Sequence, residues 1–536
     1  MIKPYVFRDR HDWLQKKCRD AKSIIEIGAA GNFTFPGWDN VVHVDKDFYN
    51  YPNFVQADAH DLSQFADKSF DVAVLAEVLE HVRDPTVVLH ETQRVANQVI
   101  ITVPDPENWS PELRPYDDMK SSMERNGGGP EVSIMMSNPS LKKFGGNLKE
   151  TFHQRWFNEK TFREFLDSAN CGPHHVGKIT TTTKPQWSWV VAEVPRKLSV
   201  ALLSTPYITT PPEKYGGLER VVADLACGLS ELGHKVAVFA ANGSKPIGNY
   251  QVVECIEPLS NFTTDHSKVS WYDLEKKMFA ACREQLKYFD VVHGHNWFCN
   301  ESRLNQPNIF HTHHGGFQWE TYPPNVHVLA ISQHMKRVTE GYFAQKGIQI
   351  PSVDYAYNGI DLDLYKFQKE KGDRLLFVGR FAPFKGVLIA IDVAKALKIG
   401  LDVVGSPHDP AYFEMLKRAA AGYDIKFYLD VTQEDKIKFY QNAKCTLVPS
   451  QMGEPFGLVA IESLACGTPV VVLRDGALPE LVRPVFVCDS GLEMATAIGR
   501  INPDTIKPED CRAMAEQFSR LNMAKSYETI YNKILK

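Results

Sequence analysis

The stretch GEPFGLVAIESLACGTPVVV, residues 453–472, carries two glutamates eight positions apart around an apolar run. CTLVPS at 445–450 reads as a strand before it and TPVVVL at 468–473 as a strand after it, so the run is the helix of a crossover between parallel strands. Open parallel sheets hold ligands beyond the carboxyl ends of their strands. A helix beginning near Phe456 turns its first N–H groups, Phe456–Val459, into that crevice. Glu454 then lies before the helix at the crevice floor, and Glu462, rather more than one turn inside, reaches the same space from a neighbouring face. One carboxylate suits the hydroxyls of a sugar, the other those of a ribose. The alternative makes Glu454 a first-turn dipole partner and Glu462 an ordinary surface residue.

The alternation of strand and helix extends upstream. RLLFVGR (374–380), LDVVG (401–405) and IKFYL (425–429) belong to the same series, and KLSVALLSTP, VAVFAA (236–241), VVHGH (291–295), NIFHTHH (308–314) and VHVLAIS (326–332) form an earlier one. NGIDLDLYKFQKEKGDR between them reads as a linker. In VGRFAPFKG, residues 378–386, Arg380 and Lys385 follow a strand end, where two cations neutralise a diphosphate. Taken alone, solvated surface charges are the plainer reading of that pair. Gly216 and Gly217 precede a helical stretch in the form that presents backbone N–H groups to an anion, and equally in the form of a simple turn.

A third series opens the chain. SIIEIG, VVHVD, NFVQAD, FDVAVLAEV and QVIITVP, within residues 23–103, read as buried parallel strands of a doubly wound sheet. Residues 105–152, rich in Pro, Gly, Ser and Asn, read as a lid or binding segment. A helix over 158–169 and an antiparallel pair, GPHHVGKITTTT and QWSWVVAEV, close the sheet, and VPRK at 194–197 marks the main boundary. Asp45 ends the second strand, seventeen positions after Gly28, where a carboxylate is placed for ribose hydroxyls.

Length and charge agree with this division. A chain of 536 residues exceeds what one core serves, and a net charge of -5 supplies no general basic field for nucleic acid. The N-terminus lacks the apolar core of a signal peptide, and no stretch approaches the roughly 20 apolar residues that span a bilayer, so a cytoplasmic location is expected. Ten cysteines without a C-x-x-C pair predict free thiols rather than disulfides or a zinc site.

YGGLERVVADLACGLSELGHKVAVF, NGID, VGRFAPFKG and EPFGLVAIESLACGTPVV, in this order, give residues 198–520 a resemblance to retaining GT-B glycosyltransferases of family four. The resemblance implies that Arg380 and Lys385 grip the donor diphosphate, Glu454 binds the transferred sugar and Glu462 the nucleotide ribose. It implies close approach of the donor at Gly216 and Gly217, and a histidine near the sugar, with His313 the first choice and His311 and His314 its rivals. Ala477 departs from the family's second glycine ahead of Pro479-Glu480. Asp361-Leu362-Asp363 has the form of a metal-binding D-x-D but sits in the linker, where an Asx turn is expected and no metal is required.

IIEIGAAGN, QADAHDL and SFDVAVLAEVLEHVRDP make residues 20–195 similar to class I S-adenosylmethionine-dependent methyltransferases. That resemblance implies Asp45 as ribose ligand, Asp58 as adenine contact, and Glu26 with Gly28 as the turn on the methionine side of S-adenosylmethionine. His153 is the candidate base for methyl transfer. The expected fold class is α/β with three Rossmann-like units: 1–195 a methyltransferase-like sheet, then a two-lobed GT-B module with an acceptor lobe at 196–366 and a donor lobe at 367–536. The expected function is bifunctional: retaining transfer from a UDP- or GDP-linked sugar to a glycan or glycolipid, plus methylation, in surface polysaccharide or glycolipid assembly. The alternative keeps the N-terminal unit as a non-catalytic binding module, and lipid acceptors would bring peripheral contact with the inner face of a membrane.

Overall fold

The computed structural model describes all residues except 1–7, 29–32, 105–158, 170–174, 181–187, 195–196, 214–215, 260–269, 297–307, 316–324, 350–351, 408, 484–485, 502–505 and 536. The chain divides into two compact units, Met1–Lys197 and Leu198–Leu535. The segment read as a lid and the candidate base His153 lie outside the described residues.

In the first unit, apolar runs form β1 (Ile24–Ile27), β2 (Val41–Asp45), β3 (Phe54–Gln56), β4 (Phe70–Ala76), β5 (Ala96–Pro104), β6 (His175–Thr180) and β7 (Ser188–Val194). They lie in the order β3-β2-β1-β4-β5-β7-β6. The first five are parallel, and β7 runs antiparallel to both β5 and β6. The helix Pro85–Val95 starts where its sequence dictates: Asp84 accepts from the N–H groups of Thr86 and Val87, and Pro85 holds the first helical position. Strand order reverses between β1 and β4, so the crevice of this sheet opens beyond Ile27 and Ala76.

The second unit holds two parallel sheets. The first comprises β8 (Ser199–Leu203), β9 (Lys235–Ala241), β10 (Gln251–Ile256), β11 (Val291–Gly294), β12 (Ile309–His313), β13 (Val326–Ala330) and β14 (Val353–Tyr355), in the order β10-β9-β8-β11-β12-β13-β14. The second comprises β15 (Leu375–Val378), β16 (Leu401–Gly405), β17 (Ile425–Leu429), β18 (Cys445–Val448), β19 (Val470–Leu473) and β20 (Val487–Cys488), in the order β17-β16-β15-β18-β19-β20. Their reversals fall between β8 and β11 and between β15 and β18.

The helix Arg520–Ile534 follows the second lobe in sequence but packs on the helix Gly217–Glu231 of the first. Its Met523, Ala524, Tyr527, Ile530 and Tyr531 join one buried cluster with Val221, Val222, Leu225 and Leu229 of that helix, at about 1.5–3 kcal/mol for each large side chain removed from water. The crossing is pinned to the linker, where Ile360 N–H donates to Phe518 O and Arg520 N–H to Ile360 O, both at 2.9 Å. Among the described residues no helix is long and apolar enough to cross a membrane.

Candidate active site

The carboxyl ends of β15 and β18 and the start of the helix Gly217–Glu231 open on one cleft of about 450 Å³. Gly217, Leu218, Asp224, His314 and Asn358 line it from one side, and Arg380, Lys385, Ser450, Glu454, Lys436 and Glu462 from the other. The helix Leu458–Ala465 begins at its wall, two residues later than the sequence predicts, behind Gly457. Two helix N-termini thus turn unpaired backbone N–H groups and the positive ends of their dipoles into the cleft.

Glu454 sits in the turn between β18 and that helix. Its Oε2 accepts from Lys385 Nζ at 2.6 Å and from Ser450 Oγ at 3.0 Å. The turn is held from behind: the Asp475 carboxylate accepts from the N–H groups of Gly453 and Glu454, each at 2.8 Å, and Ala477 N–H donates to Glu454 O at 2.8 Å. Gly476 lies between them at φ +55°, and a Cβ there would stand 2.1 Å from Glu454 O, so only glycine passes. The tightness of this loop requires glycine at 476, and Ala477 beside it is fully buried.

Glu462 is 5 % exposed and lies where the opening stretch put it, on the cleft wall. Tyr365 OH donates to its Oε1 and Tyr440 OH to its Oε2, both at 2.7 Å, while Lys436 Nζ stands 3.3 Å and 3.2 Å from the two oxygens. Burial pushes this carboxyl up, and Lys436 with the two tyrosine hydroxyls outweighs it, holding Glu462 below the usual carboxylate value. Of the histidines, His314 lines the cleft and bonds His295 through Nε2 and Nδ1 at 2.9 Å. His313 lies within β12, 1 % exposed. His293, next to this pair, is bonded by Tyr531 OH and Thr312 Oγ1 at 2.6 Å and 2.7 Å, and burial lowers its pKa to about 3.

The D-x-D lies in a turn of the linker. Asp361 accepts from Asp363 N–H at 2.9 Å, an Asx turn, and pairs with Arg520 at 2.7 Å. Sequence reasoning missed Ser450, four residues before its partner Glu454, and Asp475, Lys436 and the tyrosines, which act through contacts remote in the chain. It also missed Glu480, whose carboxylate accepts from Gln333 N–H at 2.9 Å and His334 N–H at 2.6 Å, capping a helix of the first lobe.

In the first unit, Glu26 is fully buried, its oxygens accepting from Thr34 N–H and bonding His43 Nδ1, both at 2.8 Å. It braces β1 against β2. Gly28 follows β1 at φ +73°, with Val78 only 2.6 Å from any Cβ. Asp45 ends β2, 8 % exposed, and accepts from Asp47 N–H at 3.1 Å. Asp58 is exposed and held below the usual carboxylate value by hydrogen bonds from the His60 backbone and ring.

Residues 215–364 match the model of Glycosyltransferase Family 4 and residues 364–517 that of Glycosyl transferases group 1, while residues 51–118 match Methionine biosynthesis protein MetW. A D-inositol 3-phosphate glycosyltransferase of Acidothermus cellulolyticus is 33% identical over 179 residues, which cover 29% of this chain and 39% of that protein. The lipopolysaccharide 1,2-N-acetylglucosaminetransferase of Salmonella typhimurium is 25% identical over 272 residues, 45% of this chain and 68% of that protein. Sucrose-phosphate synthase from Thermosynechococcus elongatus superposes with a TM-score of 0.50 at 21% identity, covering 63% of this chain and 99% of that one, a likeness of fold. Along 215–517 the second unit is thus similar to glycosyltransferases, matching the Family 4 model and then that of group 1.

Proposed function

We propose that the second unit transfers a glycosyl group from a nucleotide sugar to a hydroxyl of a glycan or glycolipid, with retention of configuration as the family resemblance implies. The observation that carries the reading is the Lys385–Glu454 pair set between two helix N-termini in one cleft. Arg380, Lys385 and the N–H groups beyond Gly216 and Gly457 offer positive charge where the leaving diphosphate gains negative charge. Glu454 keeps Oε1 without a hydrogen-bond partner among the described residues, an acceptor for sugar hydroxyls. Glu462 marks the nucleoside end, and His314 takes the place first given to His313.

Thermal melting against UDP, GDP, ADP and their common sugar conjugates tests this, since a ligand of the folded state raises the melting temperature. One nucleotide is expected to stabilise the protein, and Arg380→Ala and Lys385→Ala to abolish the shift. No stabilisation by any of them refutes the reading.

A second reading adds methyl transfer by the first unit. It is supported by the MetW match and by the positions of Gly28 just after β1 and Asp45 at the end of β2, on the side where the β1/β4 crevice opens. S-adenosylmethionine, when bound, supplies an electrophilic methyl group; Asp45 would hold its ribose. Stabilisation by S-adenosylhomocysteine that Asp45→Ala removes is the expected result. Its absence leaves the first unit a non-catalytic binding module.

A further inference from the structure

His295 follows β11 and His314 follows β12, the strand paired beside it. His295 is 2 % exposed, and its Nδ1 lies 2.9 Å from Nε2 of His314, the ring that lines the cleft. The pair is held from several sides. His295 N–H donates to Leu203 O at 2.9 Å, and the His293 ring packs on the His295 ring with centroids 4.3 Å apart. A Cβ on Gly315, directly after His314, would stand 3.1 Å from Pro455 Cγ, so this segment abuts the turn that carries Glu454.

Burial lowers the His314 pKa to about 3, His313 adding to this, and burial with the neighbouring His293, His314 and His311 holds His295 well below the ordinary value. Both rings are therefore neutral near pH 7, and each carries one hydrogen on one of its two nitrogens. The bond between them uses one of those hydrogens, so it has two forms, and the nitrogen that is protonated in each ring follows from the bond the other makes. In the first form His314 Nε2–H donates to His295 Nδ1, and the hydrogen of His295 lies on Nε2. That nitrogen is buried and has no partner among the described residues, and an N–H buried without an acceptor is the rarer orphan in folded proteins. In the second form His295 Nδ1–H donates to His314 Nε2. His295 Nε2 is then an idle lone pair, and the hydrogen of His314 lies on Nδ1, which bonds nothing among the described residues.

We infer that His295 is a positioning residue: its Nδ1–H fixes His314 in the form that carries hydrogen on Nδ1, and His314 offers that N–H to an oxygen of the donor sugar. The inference rests on the nucleotide-sugar reading above and deepens it. It makes sugar recognition by the first lobe depend on a residue that touches no substrate.

Nitrogen NMR of the full chain with labelled histidine, the His314 signals assigned by their loss in His314→Gln, tests the first half without a ligand. Hydrogen on Nδ1 of His314 is expected in the wild type and in His295→Asn, whose side-chain amide donates from the place of Nδ1–H. Hydrogen on Nε2 of His314 in the wild type overturns the inference. Calorimetric titration tests the second half, with the sugar conjugate of UDP, GDP or ADP that stabilises the protein and with that nucleoside diphosphate alone. His295→Leu is expected to bind the conjugate about tenfold more weakly and the bare diphosphate as the wild type does, while His295→Asn matches the wild type for both. Equal losses for conjugate and diphosphate, or a loss in His295→Asn as large as in His295→Leu, overturns the inference and makes His295 a packing residue. Binding of none of the conjugates to the wild type overturns the nucleotide-sugar reading and the sugar contact with it, and the His314 tautomer, read without ligand, separates the two failures.

Discussion

Asp475 touches the cleft only through Glu454, yet both its oxygens are occupied by the two N–H groups that fix where Glu454 begins. A carboxylate accepting two backbone donors is a strong, directional clamp. Asp475→Ala releases the turn, and since misplacing a reacting partner by about 1 Å costs on the order of 100-fold in rate, turnover is expected to fall by about that factor with the melting temperature lowered only slightly. Steady-state kinetics beside a melting curve checks the split, and unchanged turnover refutes it. Gly476→Ala attacks the same turn sterically, through the 2.1 Å approach to Glu454 O. A loss of about 3 kcal/mol in stability is expected from denaturant unfolding. Glu454 and Glu462 were legible as residues of the crevice because apolar spacing showed the helix that follows the first and contains the second. Asp475, Lys436 and Tyr365 were not, because each meets its partner across a fold that local pattern does not encode.

Among elements, the helix Gln333–Lys346 shows how the lobes are latched. Ser332 caps it through Met335 N–H at 3.0 Å and donates to Pro455 O at 2.8 Å, while Glu480 of the second lobe caps its first turn. Glu480→Ala removes a charge-assisted pair of hydrogen bonds worth about 2 kcal/mol. The donor KM is expected to rise about tenfold with kcat little changed, and an unchanged KM would show that the latch does not govern donor binding. Strands such as FDVAVLA and VAVFAA were readable because parallel strands buried on both faces are continuous apolar runs. β10 escaped notice as a half-exposed edge strand, and β14 and β20, of three and two residues, are too short to carry a pattern. The crossing helix was hidden for another reason: its polar composition looks self-sufficient, and only the first lobe's surface buries its two tyrosines.

At the scale of the molecule, the histidines of β11 and β12 set acid tolerance. His293 is held neutral to about 3 by burial, and His295 and His311 are held well below the ordinary value by burial and neighbouring histidines. Unfolding frees each to take a proton below about 6.5, so the unfolded state binds more protons there and stability is lost as pH falls. His293 alone accounts for about 2 kcal/mol between pH 6.5 and 5 by this linkage. Urea unfolding at pH 7.5 and 5 is expected to show a lower midpoint at pH 5, with His293→Gln reducing the difference; a midpoint independent of pH refutes it.

The crossing helix also orders events during synthesis. The face that Tyr527 and Tyr531 cover, with His293, Thr312 and Phe310, belongs to a lobe translated long before them, so that lobe leaves the ribosome with this face uncovered until the whole second lobe has followed. Its last surface is closed by a contact between segments far apart in the chain, and long-range closure of this kind is slow and leaves apolar surface exposed in the interval. Arrest of translation within the second lobe is expected to leave the first with that face open to aggregation while the protein is being made.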